Sequence, residues 1–216
     1  MTVARSDVYI YATWLSRLLA GINSCEWAPW FKSHYTGYTK AKSDFDFAQW
    51  RSDHHKLLRQ VQNELFNYRG TTLLEDQCFF RLKGRSGAIL AGKPDLVHFS
   101  GTTGTICDVK TGQPRESDQL QVMTYMWALP LARKEFRSIS FDGIVVYTDQ
   151  QVAIPARAID EDFKSQIMAL IQRVSSFDQP QHQPSRAECN FCDISKIDCM
   201  YRFEVVDSED EAIADF

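Results

Sequence analysis

Residues 92–112 read GKPDLVHFSGTTGTICDVKTG, two short apolar runs around a turn-rich centre, and each run carries an acid. Buried strands rarely hold an unpaired carboxylate, so Asp95, Asp108 and the nearby Lys110 need a chemical reason. In a strand, residues two apart share a face, which sets Asp108 beside Lys110 and turns Val109 to the other side. With the turn centred on Thr102, the simplest antiparallel register puts Asp95 opposite Val109 and the two acids on opposite faces. A shift of one residue, or a bulge of the kind Pro94 favours, brings Asp95 beside Asp108 or Lys110. Carboxylates meeting at about 5 Å repel each other unless a cation lies between them. Mg²⁺ and Mn²⁺, hard ions that take oxygen ligands, suit Asp95, Asp108 and the backbone carbonyl of Val109, and leave positions for water and phosphate. Lys110 would then orient or activate the attacking water, or stabilise charge growing on phosphorus. The ordinary alternative is an edge-strand ion pair of Asp108 with Lys110 and a surface acid at position 95.

The stretch GAILAGKP, residues 87–94, approaches the phosphate-binding loop G-x-x-x-x-G-K-[ST]. It fails at the last position, where Pro94 has no hydroxyl, and it continues as strand where that loop needs a helix. ATP is therefore not an expected partner.

Three of the six cysteines crowd into RAECNFCDISKIDC, where Cys189, Cys192 and Cys199 follow C-x2-C-x6-C spacing. Residues 1–21 are apolar only in pieces, broken by Arg5, Asp7 and Arg17, so they suit neither a signal peptide nor a spanning helix. A cytoplasmic, reducing location is expected, and there clustered thiols read as metal ligands rather than a disulfide framework. Cys78 and Cys107 fall in predicted strands and read as core, which leaves Cys25, in an irregular aromatic stretch, as the candidate fourth ligand. Four thiolates suit tetrahedral Zn²⁺ or an iron–sulfur cluster, and spacing does not choose between them.

The elements that must position these groups follow from pattern. Ser6 or Asp7 can cap a helix running to about Leu19 and stopping at Gly21, and residues 22–35 read as an irregular connection. A second helix spans about 45–68, with His54, Leu57, Leu58, Val61 and Leu65 on one face. Strand-like runs follow near 73–82, 88–99 and 104–110. A helix over about 118–129 is closed by Pro130, strands cover 141–148 and 152–155, and a last helix covers 161–177 before the polar, proline-rich link DQPQHQPS. The order predicts an α/β fold, a mixed sheet flanked by helices.

At 216 residues and 44% hydrophobic the chain can bury a substantial core. Its net charge is -4, but residues 204–216 hold six acids and no Lys or Arg; without them, 28 − 6 = 22 acids face 24 bases, a body near +2 that does not repel a phosphate backbone. Those last residues read as a solvated acidic tail, and residues 1–203 as a single domain.

Pro94-Asp95, then Asp108-Val109-Lys110, then Gln121 and Tyr125 in QVMTY together resemble the PD-(D/E)XK nuclease superfamily in its RecB-like exonuclease form. The resemblance implies a restriction-endonuclease-like core in which Asp95 and Asp108 bind the catalytic metal and Lys110 serves hydrolysis. Gln121 and Tyr125, four apart on one helical face, would reach toward the site or the strand. Read alone, Gln121 could instead complete a capping box with Asp118, and Tyr125 could be core. The family also expects a helical acid or histidine upstream. His54, on the apolar stripe, is preferred over His55 as that metal-facing ligand; a partly buried structural histidine is the alternative. One cysteine upstream and three downstream resembles the CRISPR-associated Cas-four nucleases and AddB-type nuclease domains. That likeness implies a 4Fe-4S cluster held by Cys25, Cys189, Cys192 and Cys199, stapling segments around 22–35 and 186–202 together. The final interval here is six residues where five is common, and zinc stays open. The expected activity is Mg²⁺- or Mn²⁺-dependent cleavage of DNA, preferentially single-stranded or frayed, in CRISPR adaptation with an integrase complex as one candidate partner, or in DNA repair; no membrane and no ATP are expected. The competing reading is a catalytically weak nucleic-acid-binding adaptor on the same fold.

Overall fold

The computed structural model describes residues 1–203; the acidic tail at 204–216 lies outside the described residues. In chain order the strands are β1 (Val3–Ala4), β2 (Tyr9–Tyr11), β3 (Tyr35–Thr36), β4 (Thr71–Leu74), β5 (Phe80–Lys83), β6 (Ile89–Gly92), β7 (Leu96–Ser100), β8 (Thr103–Lys110), β9 (Ser140–Tyr147) and β10 (Gln151–Ile154). The helices are α1 (Ala12–Leu19), α2 (Trp27–His34), α3 (Phe47–Leu65), α4 (Glu116–Ala132), α5 (Glu161–Ser175) and α6 (Arg186–Phe191).

The main sheet has the order β10-β9-β8-β7-β4; β8 and β9 run parallel, and the other neighbours are antiparallel. A three-stranded sheet, β2-β6-β5, stands beside it, and β1 pairs with β3. The expected mixed sheet flanked by helices is what the chain forms. Side chains alternate across the main sheet. Val97, Ile106 and Val145 point into the larger core with Val122, Tyr125 and Leu129 of α4, while Leu96, Cys107, Val109 and Val146 point to the other face, under Leu58 and Val61 of α3. Each such side chain contributes about 1.5–3 kcal/mol through burial, so two helices clamp the sheet from opposite sides.

Several boundaries differ from those the pattern predicts. The helix expected from Ser6 or Asp7 begins at Ala12, because Tyr9–Tyr11 pairs in parallel with Ile89–Ala91. Residues 27–34 are helical, not irregular; Trp27, Trp30, Phe31 and His34 recur at helical spacing, and Pro29 sits in the first turn, where no intrahelical N–H is required. The run at 88–99 breaks at 93–95, so β6 and β7 belong to different sheets. The predicted strand at 73–82 is likewise interrupted, by a 3-10 turn at Glu75–Cys78. Pro130 lies inside α4, which continues to Ala132 rather than closing there. Cys78 and Cys107 are fully buried core residues as expected, although Cys78 ends the 3-10 turn rather than lying in a strand.

Candidate active site

The hairpin β7–β8 turns on two residues, Gly101 and Thr102, since Ser100 pairs with Thr103. Gly101 adopts φ of +60°, a conformation tight hairpin turns demand and glycine supplies freely. Leu96 therefore faces Cys107, and continuing the register sets Asp95 opposite Asp108. The acids lie on one face of the sheet, the arrangement that required a one-residue shift from the simplest register. The break at Pro94 leaves Asp95 just outside the strand, at the sheet's end.

Asp108 is buried, with its carboxylate held from two sides. Lys110 Nζ donates to Oδ2, Gln121 Nε2 donates to Oδ1 over 3.1 Å, and Gln121 is itself fixed by Tyr125, whose hydroxyl lies 2.8 Å from Nε2. Lys110 Nζ also lies 3.4 Å from Gln121 Oε1. Burial pushes the Asp108 carboxyl up to about 7, with the Asp95 charge adding to the rise and Lys110 opposing it. Burial lowers the Lys110 pKa, but the charge of Asp108 and its hydrogen bond, with Asp95 and Asp118, raise it overall and favour the protonated amine. Gln121 and Tyr125 are both buried, so they orient Asp108 and Lys110 from beneath rather than reaching outward. Gly92 makes room for this stack; a Cβ there would stand 2.7 Å from the Tyr125 ring.

Asp95 Oδ2 accepts from the Val109 N–H at 2.8 Å and lies 3.2 Å from His54 Nε2. The hydrogen bond to Asp95 raises the His54 pKa against the lowering effect of burial, so the pair favours the protonated imidazole. His55 points away, 3.1 Å from Glu75 Oε1, and is solvent-exposed. Of the two histidines, His54 is the one beside the acids.

A cavity of about 600 Å³ opens over these residues. Its walls include Asp95, Asp108, Lys110 and His54, and also Glu75, Trp50, Arg51 and Tyr11, which the sequence did not single out. Glu75 is the one described non-glycine residue at positive φ, 45°, and its N–H donates to the Asp95 carbonyl over 2.9 Å. No pattern announces such a backbone. Trp50 and Arg51, by contrast, stand one helical turn before His54, a spacing that was legible.

Behind Lys110 lies a second cavity, of about 370 Å³, whose walls include Cys25, Cys189, Cys192 and Cys199. The four candidate thiols thus meet at one chamber, although 164 residues separate the first from the second in sequence. Burial raises the pKa of Cys192 and Cys199. Glu188 closes the chamber from one side; its carboxylate accepts from the backbone N–H groups of Ser24 and Cys25 and from Ser185. Asp193, next to Cys192, ties this segment to the N-terminal one, accepting from Tyr38 at 2.9 Å and from Lys32 at 3.4 Å. His182 stacks on Trp27 and places Nδ1 3.9 Å from Cys199 Sγ. Among the described residues, no group of three or more His, Cys, Asp or Glu side chains is arranged to hold a metal ion, in either cavity. The acids, His54 and Lys110 bond one another instead.

Comparison with curated proteins found no match. Among solved structures, the crystal structure of SSO0001 is similar at 16% identity, covering 94% of this chain and 90% of that one, with a TM-score of 0.48. The model of the PD-(D/E)XK nuclease superfamily matches residues 10–197, from β2 through the cysteine-rich segment. The chain belongs to the PD-(D/E)XK nuclease superfamily.

Proposed function

We propose that residues 1–203 form one nuclease domain that hydrolyses DNA phosphodiester bonds with Mg²⁺ or Mn²⁺, acting as an exonuclease on single-stranded or frayed ends. The observation that carries this reading is the register that sets Asp95 opposite Asp108, with Lys110 on the same face and an open cavity above them. Two carboxylates, an imidazole and the Val109 carbonyl are the donors a hard divalent cation takes, and an acid pushed up to about 7 is one that a cation would return to its charged form. Asp95, Asp108 and the Val109 carbonyl would hold the ion, with His54 as a further ligand once it leaves Asp95. When bound, such an ion supplies charge stabilisation on the phosphate and a lowered pKa for water.

The chain's own residues do the rest. Lys110 carries a positive charge at the cavity edge, where it can meet a phosphate oxygen as negative charge grows or orient water toward phosphorus. Gln121 holds both Asp108 and Lys110 and, with Tyr125 behind it, fixes the lysine's direction. Gln121 and Tyr125 act as positioning residues.

The meeting of Cys25, Cys189, Cys192 and Cys199 at one chamber supports a 4Fe-4S cluster there, with zinc as the alternative, tying the N-terminal segment to the C-terminal one. Trimming DNA before integration in CRISPR adaptation, in a cytoplasmic integrase complex, is the setting that the Cas-four likeness favours. No helix among the described residues is long and apolar enough to cross a membrane. A second reading, a nucleic-acid-binding adaptor without useful turnover, draws on the bonds of Asp95 to His54 and of Asp108 to Lys110, which engage the acids with neighbouring side chains.

Cleavage of end-labelled single-stranded DNA with and without Mn²⁺, by wild type and Lys110→Ala, separates the two. The nuclease reading expects Mn²⁺-dependent shortening lost in the variant; DNA binding with no cleavage under any divalent metal establishes the adaptor.

A further inference from the structure

The start of α3 and the residue before its cap carry three rings; Phe45 and Trp50, at N′ and N4, can staple the helix start, yet all three stay largely in solvent. Phe45, Phe47 and Trp50 are 54%, 57% and 43% exposed, and none belongs to a buried cluster. Leaving three large rings in water forgoes stabilisation that burial would give, so an exposed cluster of this kind marks a surface that meets something. Its position says what. Phe45 lies 4.9 Å from Phe47 and 6.5 Å from Trp50, Trp50 lies 5.4 Å from the His54 ring, and His54 touches Asp95. The rings step from the surface down to the acids. They are mutually inclined, at 75° and 56° about Phe45, so they leave faces open rather than covering one another.

Charge divides this wall. Arg51 is exposed, lines the same cavity as Asp95 and Lys110, and has no ion pair among the described residues. Asp44 and Asp46 flank the two phenylalanines, and Asp46 is engaged in capping α3. Phosphate is thus welcome at Arg51 and repelled at the outer rings, which suits flat, uncharged base faces there. Across the cavity mouth Tyr11, 38% exposed, offers another ring.

We infer that Phe45, Phe47 and Trp50 form a stacking platform for the unpaired bases of a single DNA strand, and that Arg51 contacts its phosphates as the strand enters the site. The inference rests on the nuclease reading for the strand's destination, but not for its binding. Duplex bases present a free face only at an end, so the platform selects single strands, and it tolerates any sequence because every base has a π-face.

The test is binding without turnover. In EDTA, fluorescence anisotropy would compare the full chain with Trp50→Ala and Phe45→Ala/Phe47→Ala on a labelled single-stranded oligonucleotide, an abasic oligonucleotide of equal length and a duplex. Trp50→Ala should weaken single-strand binding about tenfold and leave abasic binding unchanged, with Trp50→Phe restoring most of the loss. Arg51→Ala should weaken both ligands and reduce the salt slope by about one. Equal affinity of the wild type for base-bearing and abasic strands, or equal losses on both in Trp50→Ala, would overturn the platform. The exposed position of Trp50 keeps its variants folded, which circular dichroism checks. A Trp50 effect in a protein that never cuts would sink the nuclease reading alone; cutting without a Trp50 effect would sink this inference alone.

Discussion

The acid site and the cysteine chamber are neighbours, with Thr13, Lys110 and Gln121 in the walls of both, yet they are built in opposite ways. Asp108 rides on β8, and Asp95 stands just outside β7 at the end of the hairpin. Their relative placement is set by backbone hydrogen bonds between β7 and β8, by the parallel partner β9 and by helices on both faces. The chamber gathers α1, α2, the start of α4, α6 and loops from the two ends of the described chain. What joins them is a small aromatic core around Trp27, Trp30 and Phe31, a single bridge of Lys40 with Ile194, and the carboxylates of Glu188 and Asp193. A region of that kind gains from a staple more than a sheet does. On the proposed reading, chemistry belongs to the first region and cohesion to the second.

The largest effect that can break this contrast is on turnover. Asp95→Ala and Asp108→Ala should each lower Mn²⁺-dependent DNA cleavage by roughly 10²–10³-fold or more while leaving the far-ultraviolet circular dichroism spectrum native. Retained cleavage in either variant would move the chemistry elsewhere.

Cysteine substitutions should do the reverse. On the stapling proposal, Cys25→Ser or Cys192→Ser should abolish iron or zinc binding at the chamber and lower the melting temperature by roughly 5–15 °C, several kcal/mol at about 2–4 °C per kcal/mol, with the rate per folded molecule within a few-fold of wild type. Equal melting temperatures would remove the stapling role.

The smallest effect is a difference in sign with pH. In metal-free protein, the raised pKa of Asp108 means that the folded state prefers the neutral acid; stability is therefore highest below the ordinary carboxylate range near 3.8 and falls as pH rises through about 7. Asp108→Asn should abolish that fall. Glu188 behaves oppositely. Hydrogen bonds from Ser185, Ser24 and Cys25 hold its pKa below the ordinary 4.5, so its stabilisation is present above that pH and lost as pH drops beneath it; Glu188→Gln should flatten the acid limb. Chemical denaturation from pH 3.5 to 8 measures both.

The same division explains what could be read in the sequence. Asp95, Asp108 and Lys110 were legible because acids inside apolar strands violate the burial pattern, and the helix carrying His54 shows a clear apolar stripe. Their register was not, because a turn centred on Thr102 and a two-residue turn at Gly101-Thr102 differ by one position, and only the folded backbone selects between them. Residues 7–11 joined the helical pattern because a three-residue strand exists only through its partner β6, 80 positions away in register. Residues 27–34 were readable in principle; their helical spacing lay hidden behind Pro29 and a run of aromatics. The positive φ of Glu75 left no mark in residue types at all. The chamber was legible as spacing of thiols, while the carboxylates that clasp it were not, since Glu188 and Asp193 look like any surface acids until Ser24, Cys25, Lys32 and Tyr38 arrive from the other end of the chain.

The central claim is that Asp95 and Asp108, set opposite each other by the hairpin, hold the metal that cuts DNA. An anomalous difference map from crystals of the protein soaked in Mn²⁺ tests it most directly. The account predicts a peak between the two carboxylates, beside the Val109 carbonyl and within reach of Lys110, and its absence from Asp108→Asn crystals. A Mn²⁺ peak elsewhere, with Asp95 still bonded to His54 and Asp108 still bonded to Lys110, would contradict it.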